Sequence, residues 1–243
     1  MKVKPFGMLD IESLGTPGDC GTTHIVMPSF AFVAMHGIDK DPGLVFVTLD
    51  VQDQLNSGAK VTASTLAFWM DQAKNSPSAL HIMEAMNERN PKLIAFQNGK
   101  HHCTNKLGSN YAAFSMAQNI MELALGENAL YYGNGPEFDM TIYSANTFHA
   151  GTNEEVVPWK FWNLGNVRSL RNLWMQAGYS YKDLEAEGIS WAKAKMEKMD
   201  TIRYGIYPVK HDPAFDALVE SYCVAAMIEK NENLICFRLQ NSV

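Results

Sequence analysis

Residues 6–15 read FGMLDIESLG, an apolar run that carries two acids, Asp10 and Glu12, with one residue between them. Met8, Leu9 and Ile11 give it the character of a short strand, and side chains alternate across a strand, so both acids face the same side. Two adjacent carboxylates on an otherwise apolar strand repel each other and lose hydration, with little to compensate unless cations sit between them. The pair therefore reads either as a platform for divalent metal ions or as a strand edge carrying two solvated acids. Any fold that buries this strand must deal with that charge.

Two later stretches answer it. Residues 131–139, YYGNGPEFD, read as a strand ending that breaks at Gly133, Gly135 and Pro136, after which Asp139 opens a helix. Residues 211–216, HDPAFD, open a long C-terminal helix: Asp212 before Pro213 has the form of an N-cap followed by proline at the first helical position. His211 then lies just outside that helix with some freedom to swing, and Asp216 lies one turn inside it, pinned by the apolar stripe Val219, Cys223 and Met227. An acid at a strand end and acids at two helix starts can converge on one edge of a sheet, where open α/β folds place their sites.

Taken in order, Asp10 with Glu12, Asn134 with Asp139, and His211 with Asp216 resemble the signature of the DnaQ-like, or DEDDh, 3'-5' exonucleases. The segments TLAFWMDQ (65–72), YGNGPEFD (132–139) and PWKFWN (158–163), followed by Arg168, are similar to a branch of that family. The branch contains phage exonuclease A and bacterial exonuclease VIII-like and exoribonuclease proteins. The likeness runs from about residue 6 to about residue 230.

It implies a ribonuclease H-like α/β fold and hydrolysis of a 3'-terminal phosphodiester to give nucleoside 5'-monophosphates. The metal ligands would be Asp10, Glu12, Asp139 and Asp216, holding two divalent cations, Mg²⁺ or Mn²⁺, as oxygen ligands suit. Asp10 would bridge both ions, Glu12 and Asp216 would complete the ion that holds the attacking water, and Asp139 would position the other. His211, with an ordinary pKa of about 6.5, would be the general base. The expected substrate is single-stranded DNA or short oligonucleotides, on segment-level likeness to the phage enzyme. Alternatives are an exoribonuclease on the same scaffold and a nucleic-acid-binding protein that has lost the reaction.

Composition sets the remaining bounds. With 243 residues, 47 % hydrophobic and 19 % charged, the chain can bury a full core, and it is expected to form one domain over 1–243. A net charge of -6 argues against a general non-specific binder held on DNA by its overall field, though a local basic patch and bound cations would still serve a nuclease. Four scattered cysteines, no secretory apolar segment and no long apolar run predict a reduced, cytoplasmic protein without a membrane span. A phage-encoded member would work in the host cytoplasm. It would act as a monomer or a homodimer.

Along the chain, strands are expected near 24–35 and 44–49, antiparallel to the first, in a mixed sheet of about five strands flanked by helices, with insertions between the motifs. Residues 50–61 read as a loop, and Thr62 and Ser76-Pro77 as helix starts. Residues 91–110 read as a weakly basic loop, in which Lys100 and Lys106 either reach substrate phosphates or simply face solvent. His101, His102 and Cys103 lack partners for a tetrahedral zinc set. Trp69, Trp159 and Phe161 are assigned to the core. Trp162 is left open between packing and base stacking, and Arg168 between a phosphate contact and a tie to an acid. Residues 203–210 are expected to be extended, and 234–239 an edge strand or a tail.

Overall fold

A computed structural model of the chain describes residues 4–87, 89–151 and 155–240. The acidic strand forms as β1 (Phe6–Glu12), followed by a single-turn helix α1 (Pro17–Cys20) capped by Thr16. β2 (Ser29–Met35) and β3 (Gly43–Thr48) run antiparallel beside it, with Asp10 opposite Ala31 and Glu12 opposite Ser29. Residues 50–61 do not loop off the sheet as expected. Asp50 accepts a hydrogen bond from the Asp53 N–H and starts α2 (Val51–Asn56), whose Gln54 turns inward to exchange hydrogen bonds with the Met27 backbone. A polar residue that substitutes for a missing backbone partner leaves no apolar period to read.

α3 (Ala63–Gln72) starts at the Thr62 cap, and α4 (Pro77–Ala85) starts with its proline, as the capping residues predict. The expected loop at 91–110 is instead a hairpin, β4 (Lys92–Gln97) and β5 (Lys100–Thr104), turning through Asn98 and Gly99 at φ of 52° and 72°. Asn-Gly suits a tight hairpin turn. Since β5 is a polar edge strand, no alternation announces it.

α5 (Asn110–Leu125) leads to β6 (Leu130–Gly133) and α6 (Asp139–His149), and then β7 (Leu164–Asn166) runs into α7 (Val167–Gln176). α8 (Tyr181–Met199) and α9 (Pro213–Gln240) complete the order. Residues 201–204 form a one-turn 3-10 helix rather than extended chain, and 234–239 continue α9 rather than forming a strand.

The sheet has seven strands in the order β5-β4-β3-β2-β1-β6-β7, with β6 and β7 parallel to β1 and the remaining neighbours antiparallel. This is the mixed, ribonuclease H-like α/β architecture, with β5 and the three-residue β7 beyond the five strands expected. No described helix is long and apolar enough to cross a membrane.

Strand parity places the acids. Leu9 and Ile11 face one side of the sheet, packed with Phe30, Phe32 and the buried residues of α5 and α6. Phe6 and Met8 face the other, under Leu218, Val224 and their neighbours on α9. Asp10 and Glu12 continue the Phe6–Met8 row, so they emerge beneath α9. Trp159 is buried as expected, against Tyr131 and Tyr143, whereas Phe161 is a correction: it is 81 % exposed. Phe161 opens a single 3-10 turn (Phe161–Asn163) at the outer edge of the sheet, next to the last strand β7.

Candidate active site

α9 brings the third motif to the end of β1. Asp212 caps the helix, its carboxylate accepting from the Ala214 N–H at 3.1 Å and the Tyr207 N–H at 2.6 Å. His211, just before it, has a left-handed φ of 66°, uncommon for a residue with a side chain. Its backbone is held from both sides: the N–H donates to Asp216 Oδ2 at 2.9 Å, and the carbonyl accepts from Ser78 Oγ at 3.0 Å. The imidazole stands edge-to-face against Phe68 and Trp69, with ring centroids at 5.5 and 5.9 Å. Trp69 is itself fixed by donating from Nε1 to the Ser13 carbonyl, next to Glu12. The swing expected of His211 is therefore restricted at its backbone. Ligand atoms of Glu12, His211 and Asp216 all lie within 4.8 Å of one another.

Asp139 arrives from the other flank. Gly133, at the end of β6, sits opposite Leu9 of β1, and a Cβ built on it would stand 3.4 Å from Asp139 Oδ2. The Asn134 backbone faces the Asp139 carboxylate and pulls its pKa down, while the Asp139 N–H donates to the Gly135 carbonyl at 3.1 Å. Asn134 thus orients the acid through its main chain. Arg168, in the first turn of α7, lies against Gly135, whose φ of 146° and missing Cβ make room for the guanidinium. Its Nη1 is 3.7 Å from Glu137, and its charge acts on Asp139 while more than half of its side chain stays exposed.

The remaining expected contacts are not brought to the acids. Register carries Lys100 to the hairpin turn at the opposite end of the sheet from Glu12, where it lines a cavity of about 260 Å³ with His101, Lys195, Arg203 and Tyr204. Lys106 follows β5, four strands away from β1, or roughly 19 Å at the usual interstrand spacing. Trp162 precedes β7 at the end remote from Gly133 and is 64 % exposed. These three placements depend on strand register, which a motif does not encode.

Burial and mutual repulsion shape the electrostatics. Burial first, and then the charges of Asp216, Glu12, Asp139 and Glu220, push the Asp10 carboxyl well above the ordinary range. Glu12 rises for the same reason, with Asp216 its strongest acidic neighbour. Burial lifts Asp139 to about 7 against the pull of Arg168, and lifts Asp216 to about 6 against the His211 N–H and Lys210. Glu220, not anticipated from the motifs, belongs to the same cluster. Its one sequence signal is its spacing four residues after Asp216, which puts both on one helix face.

A pH dependence of stability follows. Between the ordinary carboxylate range and their raised native values, these acids hold more protons folded than unfolded, so stability falls as pH rises through about 6 to 7. In EDTA the folding stability is expected to drop from pH 5 to pH 8 by on the order of a few kcal/mol, read as a lower melting temperature. Mn²⁺ is expected to reverse the drop, more strongly at pH 8. A melting temperature in EDTA that rises over this range would contradict the electrostatic reading of the cluster.

Clustered carboxylates beside a histidine, at one end of a ribonuclease H-like sheet, are the architecture of a metal-dependent nuclease. Over residues 6–197 the chain matches the model of the family described as 3'-5' exoribonuclease Rv2179c-like domain, and it belongs to that family. No curated protein sequence matches the chain. The matched span holds Asp10, Glu12, Asn134, Asp139 and Arg168 and ends before His211, which precedes α9, and Asp216, which lies in its first turn. The match agrees with the 3'-5' exonuclease resemblance, and its name leans towards RNA where single-stranded DNA was expected.

Proposed function

We propose that this chain removes nucleotides one at a time from the 3' end of a single-stranded nucleic acid, releasing nucleoside 5'-monophosphates, with RNA the favoured polymer. The observation that carries the reading is the convergence of Asp10, Glu12, Asp139 and Asp216 beside His211 at one sheet end. The exoribonuclease family match weights it towards RNA. Single-stranded DNA is the second reading, supported by the segments 65–72, 132–139 and 158–163 that resemble the phage enzyme.

The donor set fits divalent cations. Several buried carboxylates face one another with their charges uncompensated, and all offer the hard oxygen atoms that Mg²⁺ and Mn²⁺ prefer. Asp10, Glu12, Asp139 and Asp216 would hold them. Bound there, two divalent ions would neutralise the phosphate, acidify the attacking water and stabilise the leaving 3' oxygen.

The chain's own residues do the rest. His211 accepts the proton of the attacking water, and burial together with Lys210 lowers its pKa, so the ring is neutral and able to accept near pH 7. Its left-handed backbone and the Phe68–Trp69 wall fix where the imidazole can reach. Arg168 presents an exposed planar cation beside Asp139, suited to a bidentate grip on a phosphate. Phe68, partly exposed next to His211, offers a ring on which a terminal base can stack.

The test uses a 5'-labelled single-stranded RNA and its DNA twin, each with Mg²⁺, Mn²⁺ or EDTA. A ladder shrinking from the 3' end only with metal, and faster on RNA, is the expected result. Faster shortening of DNA would select the second reading. With no ladder on either strand, binding without hydrolysis becomes the better account of the fold.

A further inference from the structure

We infer that Glu220 is a fifth carboxylate of the metal site. This rests on the reading that the acids at the end of β1 hold divalent cations. Asp216 and Glu220 stand four residues apart on α9, a helix that packs directly on β1 and β2. The same helix face is therefore acidic for two successive turns where it crosses the end of the acidic strand.

Glu220 is only 9 % exposed, and its Oε2 makes no hydrogen bond among the described residues. A buried carboxylate oxygen without a partner costs free energy, and here the nearest ionisable groups include further acids. Nor is it ion-paired with an arginine among the described residues, although Arg168 and Arg171 of α7 both face it. Arg168 leans to Glu137 at 3.7 Å, and the Arg171 guanidinium sits 5.3 Å from the Tyr181 ring centroid. A purely structural glutamate would be expected to have a donor. One aimed among acids and left without a donor is matched to a cation.

Its acidic neighbours are those of the site. Glu12, His211 and Asp216 gather within 4.8 Å of one another, and the acids whose charges bear most on Glu220 are Asp139 and Asp216. Asp10, on β1, feels the charges of Asp216, Glu12, Asp139 and Glu220 together. Glu220 thus stands one helical turn beyond Asp216, facing the same cluster of acids. The carboxylate would serve by ligation or by accepting from a water on a bound ion.

The deciding experiment is Mn²⁺ titration of the full chain without nucleic acid, by calorimetry and electron paramagnetic resonance, on the wild type, Glu220→Gln and Glu220→Asp. The wild type is expected to bind two ions. Glu220→Gln should weaken one of them about 10- to 100-fold and leave the other unchanged, the size of effect seen when supporting groups of metal sites are removed. Glu220→Asp should fall between. In EDTA, Glu220→Gln should melt no lower than the wild type, because it removes a charge from a repulsive cluster.

Two wild-type affinities in Glu220→Gln would overturn the inference, as would a lower melting temperature in EDTA with both affinities lost together. A wild type that binds two Mn²⁺ but degrades neither RNA nor DNA would sink the proposed activity and leave the role of Glu220 standing. A wild type that binds no Mn²⁺ would sink both.

Discussion

Asp10→Asn is expected to lower metal-dependent hydrolysis by about 10³-fold or more, since losing a shared metal ligand removes several kcal/mol of transition-state stabilisation. The same change should raise the melting temperature in EDTA. Asp10 carries the repulsion of Asp216, Glu12, Asp139 and Glu220, and an uncharged amide of the same shape relieves it. The opposite signs are the informative part. A variant that is inactive because it is misfolded would melt lower, whereas one that has lost its ions melts higher and fails to respond to Mn²⁺. Undiminished turnover, measured as 3'-end shortening of labelled RNA under single-turnover conditions, would remove Asp10 from the site.

His211→Asn is expected to reduce the rate of the chemical step by about 10²- to 10⁴-fold at neutral pH, the usual contribution of a general base. Asparagine is chosen because it tolerates the left-handed backbone at φ 66° better than most side chains, so the loss reports the imidazole rather than strain. Affinity for the 3' end should change little, and the residual rate should climb with pH as hydroxide replaces the base. In the wild type, burial and Lys210 lower the histidine's pKa, so the fraction able to accept a proton stays high below the ordinary histidine value. The acidic limb of the rate profile is therefore expected below about 6.5. An asparagine variant within about threefold of the wild type at pH 7 would exclude the proton-transfer role.

The residues at the centre were readable from the chain because each carries a local signature. Asp10 and Glu12 interrupt an apolar alternation, Asp139 follows a glycine-proline break, and Asp212-Pro213 announces the helix that delivers His211 and Asp216. The capping residues Thr62 and Pro77 likewise predicted α3 and α4. What could not be read lacked such a signature. β5 is a polar edge strand, β7 is three residues long, and α2 is anchored by Gln54 rather than by an apolar face. Lys100 and Trp162 belong to segments that look suited to nucleic acid, but register sends both to the far end of the sheet. Glu220 is one acid on a long helix, and only the fold shows that this turn lies over β1.

The hydrogen bond from Ser78 to His211 joins parts of the chain 133 residues apart, and Asp216 lies about 200 residues beyond the strand it serves. During synthesis, β1 and its two acids leave the ribosome long before α9 exists, and the centre cannot close until that last helix docks on the sheet. A chain made only as far as β7 holds Asp10, Glu12 and Asp139 without His211 and Asp216, so on the proposed function it would leave a 3' end uncut.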